Sequence, residues 1–191
     1  MGDNMYKLDY NSPMGTLRIL EHDGYIVEIS FMDADTRAQF RDDAYYEALQ
    51  RNLGAHDDSQ TTLTIGKRLP GYDKEPGITA KACAKELDGY FAGKLKKFTV
   101  PVKLLGTEFR RRVWAALMDI PYGQTISYKT LAENIGQPKA ARAVGSANNN
   151  NPVSIIVPCH RVVGASGALV GYGGGLGNKE WLLELEGVKG S

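Results

Sequence analysis

The alternation of apolar and polar residues near the start of the chain is typical of a small antiparallel sheet. Three strand-like runs follow one another, at residues 5–10, 16–22 and 25–32. A turn at 12–15 separates the first two runs, and Asp23-Gly24, a pair that favours a tight hairpin, separates the last two. The pattern therefore predicts three consecutive antiparallel strands.

Most of the later apolar residues recur every three or four positions, which is the period of an amphipathic helix. On this basis helices are predicted at residues 36–53, 76–91, 108–118, 128–134, 139–149 and 179–187. Thr107, Ser127 and Asn178 stand where their side chains can cap three of these helices. Residues 56–75 are polar and contain Gly and Pro, so we predict mostly loop there, with one short strand at 63–65.

A basic run at residues 94–101 is predicted to be a linker between two domains. The N-terminal domain spans 1–93 and includes a variable region at 33–75, and the C-terminal domain spans 102–191. The predicted fold class is α+β, with a small antiparallel-sheet domain followed by a mostly helical one. Cys83 lies on the apolar stripe of the second predicted helix, so we predict that it belongs to the core.

The helices predicted at 128–134 and 139–149 are joined by a tight turn with Gly136, a pattern typical of a helix-turn-helix. The second helix has little side-chain bulk apart from Arg142. A helix that reads bases in the major groove usually presents several Gln, Asn, Arg or Lys side chains. Two interpretations stay open: close packing between helices, or a helix that approaches a DNA groove without reading its sequence.

The composition is typical of a globular protein, and the charges are unevenly distributed along the chain. Hydrophobic residues make up 42% of the chain and charged residues 24%, which is ordinary for a globular protein. No apolar run is long enough for a membrane span, and the N-terminus has no signal-peptide pattern. The net charge is +1, but residues 101–191 hold 10 of the 23 Lys and Arg and 6 of the 22 Asp and Glu. The C-terminal half is thus the more cationic, as a phosphate-binding surface requires.

Cysteine and glycine usage excludes two kinds of ligand site. Two cysteines in a chain of 191 residues indicate a reducing compartment. Together with three scattered histidines they give no zinc-ligand spacing, so we predict no metal and no cofactor. The glycine-rich loop at 171–177 lacks the Lys-Ser/Thr ending of a nucleotide-phosphate loop.

A cysteine, a histidine and an arginine follow one another inside an apolar, β-branched run at residues 155–163. A cysteine between strand-like runs is usually a small buried hydrophobe, but cations near a thiol favour the reactive thiolate. Cys159 is therefore the predicted nucleophile, and it needs a base that a carboxylate orients. His160 is the candidate base, acting through a water because neighbours on a strand face opposite sides. Glu184 and Glu186 are the candidate carboxylates.

Five short motifs together resemble the O6-alkylguanine-DNA alkyltransferase family. They are Pro121-Tyr122-Gly123-Gln124-Thr125-Ile126-Ser127-Tyr128, Ala141-Arg142-Ala143-Val144-Gly145, Asn151-Pro152-Val153, Pro158-Cys159-His160-Arg161-Val162 and Gly171-Tyr172-Gly173-Gly174-Gly175-Leu176. The resemblance covers about residues 86–187. The N-terminal sheet is similar only loosely, and residues 33–75 do not align. The resemblance implies an RNase H-like N-terminal domain.

The resemblance also implies an activity and a partner. The activity is direct reversal of DNA damage, in which the alkyl group of O6-alkylguanine, and also of O4-alkylthymine, moves irreversibly to the protein's own cysteine in a single turnover. The implied partner is double-stranded DNA, bound by a monomer through the minor groove with the damaged base flipped out. The implied location is the cytoplasm in a prokaryote or the nucleus in a eukaryote, with no membrane involved.

The resemblance assigns the chemistry to five residues. Cys159 is similar to the acceptor nucleophile, His160 to the base acting through water, and Glu186 to the carboxylate that holds this base. Asn151 corresponds to the residue that holds the turn shaping the site. Tyr128 corresponds to the residue that meets the 3′ phosphate and supplies a proton to the departing guanine, which is a poor leaving group unless protonated.

Further positions are assigned to DNA and the damaged base. Arg142 corresponds to the side chain that takes the place of the extruded base in the stack. The carbonyl groups of Val162 and Cys159 are expected to accept the exocyclic amine of guanine, and Tyr172 and the Gly173 amide are expected to face the base. The remaining positions assigned to substrate or DNA are Ser127, Ala143, Gly145, Arg161 and Lys179.

Two positions depart from the pattern of some relatives, which have proline in place of Ser154 and a larger apolar residue in place of Asn148. Both lie near the expected pocket, so the preferred size of the alkyl group is not predicted. Three alternative functions agree less well with the sequence. A non-catalytic lesion binder of this fold has another residue at the cysteine position, whereas this chain has Cys159. A helix-turn-helix regulator needs base-reading side chains, which the second helix lacks. A cysteine hydrolase needs a second catalytic histidine or an oxyanion loop, and neither is evident in the sequence.

Overall fold

The computed structural model describes residues 5–32 and 75–188. The helix predicted at 36–53 and the strand predicted at 63–65 lie outside the described residues. Within the described ranges, no helix is both long enough and apolar enough to cross a membrane.

The N-terminal part contains a three-stranded antiparallel sheet. Its strands are β1 (Met5–Ser12), β2 (Gly15–His22) and β3 (Tyr25–Phe31), arranged in chain order. β1 pairs with β2 along its whole length, from Met5 opposite His22 to Ser12 opposite Gly15. The hairpin turns therefore set the register, and the three predicted strands are confirmed.

Helix α1 (Ile78–Phe91) packs on the sheet. Its buried residues are Ala80, Cys83, Leu87 and Tyr90. The complete burial of Cys83 confirms that it belongs to the core. The carboxylate of Glu21 accepts a hydrogen bond from the Ala80 amide at 2.7 Å, and a Cβ on Gly77 would overlap this carboxylate. Because Gly77 stands at the N-cap, the helix begins two residues later than predicted.

The regular structure of the C-terminal part consists mainly of helices. Its helices are α2 (Glu108–Met118), α3 (Tyr128–Asn134), α4 (Ala141–Asn149) and α5 (Leu176–Leu185). Two short parallel strands, β4 (Ile126–Ser127) and β5 (Val162–Val163), pair between them. Sheet and helices together make the α+β fold that the hydrophobic pattern predicts.

Two helix starts in the C-terminal part also differ from the prediction. A turn closed by the Ala140 amide on the Gln137 carbonyl occupies the residues before α4, so this helix begins at Ala141 rather than at 139. α5 begins at Leu176 rather than at 179, because Gly175 adopts a φ of 88° and leads directly into the helix. The predicted cap Asn178 therefore lies inside α5.

The edge of the sheet supports the C-terminal part. The Ile29 amide of β3 donates to the Pro152 carbonyl at 2.9 Å, and the Ser154 amide donates to the Ile29 carbonyl at 3.1 Å. The Ile26 amide likewise donates to the Pro101 carbonyl at 2.8 Å. The turn that precedes Cys159 is thus attached to β3, and buried residues of both parts form one hydrophobic cluster.

Candidate active site

Cys159 begins a short 3-10 helix, Cys159–Arg161, instead of lying on a strand. The strand expectation was wrong because the Arg161 amide turns back to donate to the Pro158 carbonyl at 3.0 Å. In a 3-10 helix successive side chains are about 120° apart, so Cys159 and His160 do not face opposite sides as they would on a strand. The extended backbone resumes only at β5.

The turn before the cysteine is braced by Asn151. Its side-chain Nδ2 donates to the Val157 carbonyl at 2.7 Å and to Cys159 Sγ at 3.0 Å, while its Oδ1 accepts from the Val153 amide at 3.1 Å. The brace closes over Ile155, which adopts a φ of 74°. This left-handed conformation costs a β-branched residue on the order of 1–3 kcal/mol. The Asn151 hydrogen bonds therefore stabilise a strained turn at the thiol.

The thiol of Cys159 is buried and protonated at rest. Burial raises its pKa to about 11, although the hydrogen bond from Asn151 and the charge of Lys179 act in the opposite direction. Of the two neighbouring basic residues, Arg161 directs its guanidinium at Glu186 and not at the thiol. Attack by this sulfur consequently needs a base that removes its proton.

His160 and Glu186 form a buried pair. His160 Nε2 lies 2.9 Å from Glu186 Oε1, and neither side chain is exposed. Burial alone would raise the pKa of Glu186, but hydrogen bonds from His160 and Arg161 outweigh it and lower that pKa to about 2. The pKa of His160 is lowered from 6.5, chiefly by burial. The carboxylate is thus charged and the imidazole neutral, with its proton on Nε2.

This tautomer leaves the other ring nitrogen of His160 available. Nδ1 is buried and has no hydrogen-bond partner among residues 5–32 and 75–188. A neutral imidazole whose Nε2–H is held by a carboxylate has a lone pair on Nδ1 and can take a proton there. A buried nitrogen without a protein partner is the kind of polar group that an ordered water can satisfy.

Arg161 supplies the counter-charge of Glu186. Its Nε donates to Glu186 Oε2 at 2.8 Å, its Nη2 to Oε1 at 2.9 Å, and its Nη1 to the Ile120 carbonyl at 2.6 Å. The guanidinium is buried, so the structure corrects the expectation that Arg161 contacts DNA or substrate. Because Arg161 neutralises the carboxylate, His160 need not be protonated at rest.

Two further groups reach the same carboxylate. Gly123, in the turn between α2 and β4, donates its amide to Glu186 Oε2 at 3.1 Å. Tyr90, on α1, donates its hydroxyl to Oε1 at 2.7 Å. Tyr90 was not predicted as a site residue, because its place on an apolar helix face indicated only a core residue.

Tyr128 and Lys179 both donate to the carbonyl of Val170. The Tyr128 hydroxyl lies 3.0 Å from the carbonyls of Val170 and Gly171, and burial raises its pKa to about 12. Lys179 was expected to contact substrate or DNA. Its amino group is buried instead and donates to the carbonyls of Val162 and Val170 at 2.6 and 2.7 Å. Burial lowers the Lys179 pKa to about 8.

The two carbonyls that were expected to accept the guanine amine already have protein donors. Lys179 donates to that of Val162, and Asn148 Nδ2 donates to that of Cys159 at 3.2 Å. A carbonyl oxygen has two lone pairs, and the Cys159 carbonyl uses both, because the Val162 amide also donates to it. Among these two groups, the carbonyl of Val162 is therefore the better placed to accept the guanine amine.

The glycine-rich loop closes over the end of α4. Tyr172 is buried, and its ring meets Phe31 of β3 edge to face at a centroid distance of 6.3 Å. A Cβ on Gly173 would lie 2.7 Å from the Asn149 carbonyl, so the loop can approach α4 this closely only with glycine. Tyr172 and Gly173 thus lie together beside the residues that lead to Cys159.

The residues assigned to DNA lie on α3 and α4, which contact each other. Arg142 and Ala143 are exposed on α4, while Gly145 faces the ring of Tyr128, with a Cβ position 3.6 Å from it. The Ser127 hydroxyl accepts from the Thr130 amide at 3.0 Å and caps α3. The structure therefore leaves Arg142 and Ala143 free for a partner and gives Ser127 a capping role.

The part of the chain that contains Cys159, His160 and Glu186 is similar to known proteins. A family model described as "6-O-methylguanine DNA methyltransferase, DNA binding domain" matches residues 108–188. The methylated-DNA–protein-cysteine methyltransferase of Mycobacterium leprae is 60% identical over 116 residues, which cover 61% of this chain and 70% of the relative. The chain belongs to the methylated-DNA–protein-cysteine methyltransferase family. The resemblance noted in the sequence is confirmed.

Solved structures of this methyltransferase family match the fold of this protein over nearly the whole chain. The O6-methylguanine methyltransferase of Mycobacterium tuberculosis is 37% identical with a TM-score of 0.72, covering 98% of this chain and 94% of that one. The structure of M. tuberculosis OGT in complex with DNA is 39% identical with a TM-score of 0.71, covering 96% of this chain and 92% of that one. The chain is accordingly a methyltransferase with a cysteine as acceptor.

Proposed function

We propose that this methyltransferase repairs O6-alkylguanine, and by the same chemistry O4-alkylthymine, by moving the alkyl group irreversibly to Cys159. The observation that carries the proposal is a buried Cys159 followed directly by a buried His160, whose Nε2 lies 2.9 Å from Glu186 and whose Nδ1 is unpartnered in the described part of the chain. Glu186 and Arg161 hold that histidine in the required tautomer. These groups make one nucleophile, one base and one orienting pair.

The proposed step balances in protons and bonds. The Cys159 proton passes through water to His160 Nδ1, and the resulting imidazolium is stabilised by Glu186. The sulfur attacks the alkyl carbon, a carbon–sulfur bond forms, and the bond from that carbon to O6 breaks. The electron pair stays on guanine, which takes a proton from Tyr128. The proton on His160 returns to the phenolate through solvent.

The proposed step inactivates the protein molecule that carries it out. Its product is a thioether on Cys159, whose carbon–sulfur bond is not activated for displacement at neutral pH. The sulfur therefore cannot be released by reversal of the reaction. Each molecule is expected to repair one lesion, as a single-turnover protein.

The proposed partner is duplex DNA, entered from the minor groove. The exposed face of α4 has small residues and one long cation, Arg142, which suits close approach to a groove and filling of the gap left by a flipped base. Flipping is needed because the O6 atom is not accessible to a buried thiol while the base is stacked, and it costs a few kcal/mol. The DNA complex of the M. tuberculosis relative supports DNA as the partner. The acceptor and orienting groups come from one chain, so we propose a monomer.

The acceptor is tested by intact-protein and peptide mass spectrometry after reaction with duplex DNA containing O6-methylguanine. We expect one methyl group on Cys159, retained in Cys83→Ala and lost in Cys159→Ala. Cys83 is the matched control, because burial raises its pKa to about 12 and it lies on the buried face of α1. A methyl group on Cys83, or none on either cysteine, would contradict the proposal.

The base-flipping role is tested with Arg142→Ala. We expect this variant to react more slowly with O6-methylguanine in a duplex but at the wild-type rate with the free base O6-benzylguanine, because the free base needs no flipping. Lys129→Ala, on the exposed side of α3, is the control for general loss of positive charge. Equal losses with duplex and free base would refute the role of Arg142.

A further inference from the structure

Tyr90 connects the N-terminal part of the protein to the candidate catalytic pair. It lies in the last turns of α1, 96 positions before Glu186, and is completely buried. Its hydroxyl donates to Glu186 Oε1 at 2.7 Å, and the same oxygen accepts from His160 and from Arg161, each at 2.9 Å. One oxygen of the carboxylate is thus shared by the imidazole, the guanidinium and a phenol from another part of the fold.

The phenol is a permanent donor in this arrangement. Burial and the negative charge of Glu186 raise the pKa of Tyr90 far above its usual value, so the hydroxyl keeps its proton. The ring is held in place by aromatic neighbours: its centroid lies 5.4 Å from that of Phe98 and 6.1 Å from that of Tyr122. The hydroxyl therefore has a fixed position relative to the carboxylate.

We propose that Tyr90 is a positioning residue, which fixes Glu186 against His160 and weakens the pull of this carboxylate on the imidazole. Three donors on one oxygen divide its charge among them, so each bond is weaker than it would be alone. The N-terminal sheet domain thereby takes part in preparing the base, through α1. The inference rests on the proposed function, since it assigns His160 the role of base.

Removal of the phenol should act in a defined direction. Without the Tyr90 donor, Oε1 becomes a stronger acceptor for the proton on His160 Nε2, which favours the imidazolium and raises the pKa of His160. The carboxylate stays charged, because both hydrogen bonds from Arg161 remain. Removal of the Tyr90 hydroxyl replaces none of the other ionisable groups that face this pair. These groups are Cys159, Arg161, Lys179, Tyr122 and Tyr172.

The test is Tyr90→Phe, which keeps the ring and removes one hydroxyl. The matched control is Tyr122→Phe: Tyr122 packs against Tyr90, but its hydroxyl donates to the Leu185 carbonyl at 3.0 Å and not to the carboxylate. For each protein we would measure the single-turnover rate against pH, with both a methylated duplex and the free base O6-benzylguanine. DNA affinity and thermal stability would be measured on the same samples.

We expect Tyr90→Phe to react about tenfold more slowly with both substrates, the scale found when a group orienting a functional side chain is removed. The acid side of its rate profile should move to higher pH, with DNA affinity unchanged, while Tyr122→Phe keeps the wild-type profile. The pKa of His160, followed by NMR of the imidazole nitrogens, should rise in Tyr90→Phe alone. This NMR measurement needs no activity, and a purely structural role of Tyr90 does not predict a rise in the pKa of His160.

The outcomes separate the inference from the proposed function. A Tyr90→Phe variant with the wild-type rate, profile and His160 pKa would overturn the inference alone. Equal losses of rate in both variants, in step with a loss of stability and without a change in profile, would also overturn it. Absence of transfer by the wild-type protein would contradict the proposed function, and the inference with it.

Discussion

Replacement of Glu186 by glutamine tests the centre of the site. Among the described residues the carboxylate accepts from Tyr90 and His160 on Oε1, from the Gly123 amide on Oε2, and from Arg161 on both oxygens. Glutamine keeps the shape but offers one oxygen and one NH₂ group. In either orientation the NH₂ group meets an N–H of Arg161, so the buried guanidinium loses its counter-charge.

The expected cost can be worked from the structure in two ways. Removal of one partner of a buried ion pair costs about 3–5 kcal/mol. Independently, the lowering of the Glu186 pKa from 4.5 to about 2 corresponds to about 3 kcal/mol of stability at neutral pH. A loss of this size lowers the melting temperature of a chain of 191 residues by about 10 °C.

Urea unfolding of wild type and Glu186→Gln across a series of pH values checks this reasoning. Because the folded-state pKa is lowered, the stabilisation is fully present above pH 4.5 and is lost as the pH falls towards 2. The gap between the two proteins should therefore be largest near neutral pH and shrink in acid. Glu184→Gln, at the exposed neighbouring glutamate, should change stability by less than about 0.5 kcal/mol. A gap below about 1 kcal/mol at neutral pH, or one that does not shrink in acid, would refute the assignment.

Three further predictions follow from the same geometry. Asn151→Ala removes the brace of the strained turn and should cost about 2–4 kcal/mol in urea unfolding and slow methyl transfer; unchanged stability would contradict the brace. Gly123→Ala should destabilise by more than Gly93→Ala in thermal melts, since both glycines have positive φ but only a Cβ at Gly123 meets a backbone oxygen, at 2.8 Å; equal losses would contradict this. As the pH is lowered, the transfer rate should begin to fall only below 6.5, the ordinary pKa of histidine, because burial lowers the pKa of His160. As the pH is raised towards 11, the rate should increase because Cys159 ionises. A rate that already falls above pH 6.5 on acidification would argue against a neutral base.

Local signals were enough to predict much of the fold. The Asp23-Gly24 pair predicts the hairpin between β2 and β3, and next to this turn His22 pairs with Tyr25. Farther from the turn the register shifts between Leu20 and Glu21, which the alternation does not predict. The caps Thr107 and Ser127 mark the starts of α2 and α3 for a similar local reason. The starts of α4 and α5 were less accurate, since they depend on a turn and on a glycine conformation.

The geometry around the cysteine could not be predicted from local pattern. Residues 155–157 are β-branched and apolar, which favours a strand, yet Asn151 forces Ile155 into a left-handed turn. The direction of Arg161 depends on Glu186, which lies 25 positions later in the chain. Tyr90 resembled any other core residue of an amphipathic helix. Such long-range polar contacts have no signature in the spacing of apolar residues.

The central claim, that Cys159 accepts one alkyl group and is then spent, is tested most directly by counting transfers. Wild-type protein would be incubated with a large excess of duplex DNA carrying O6-methylguanine with an isotopically labelled methyl group, and the label bound to protein would be followed to completion. The account predicts a plateau at one methyl group per protein molecule, located on Cys159, with no further loss of lesions. Continued removal of lesions beyond one equivalent, or a plateau with the label elsewhere, would contradict it.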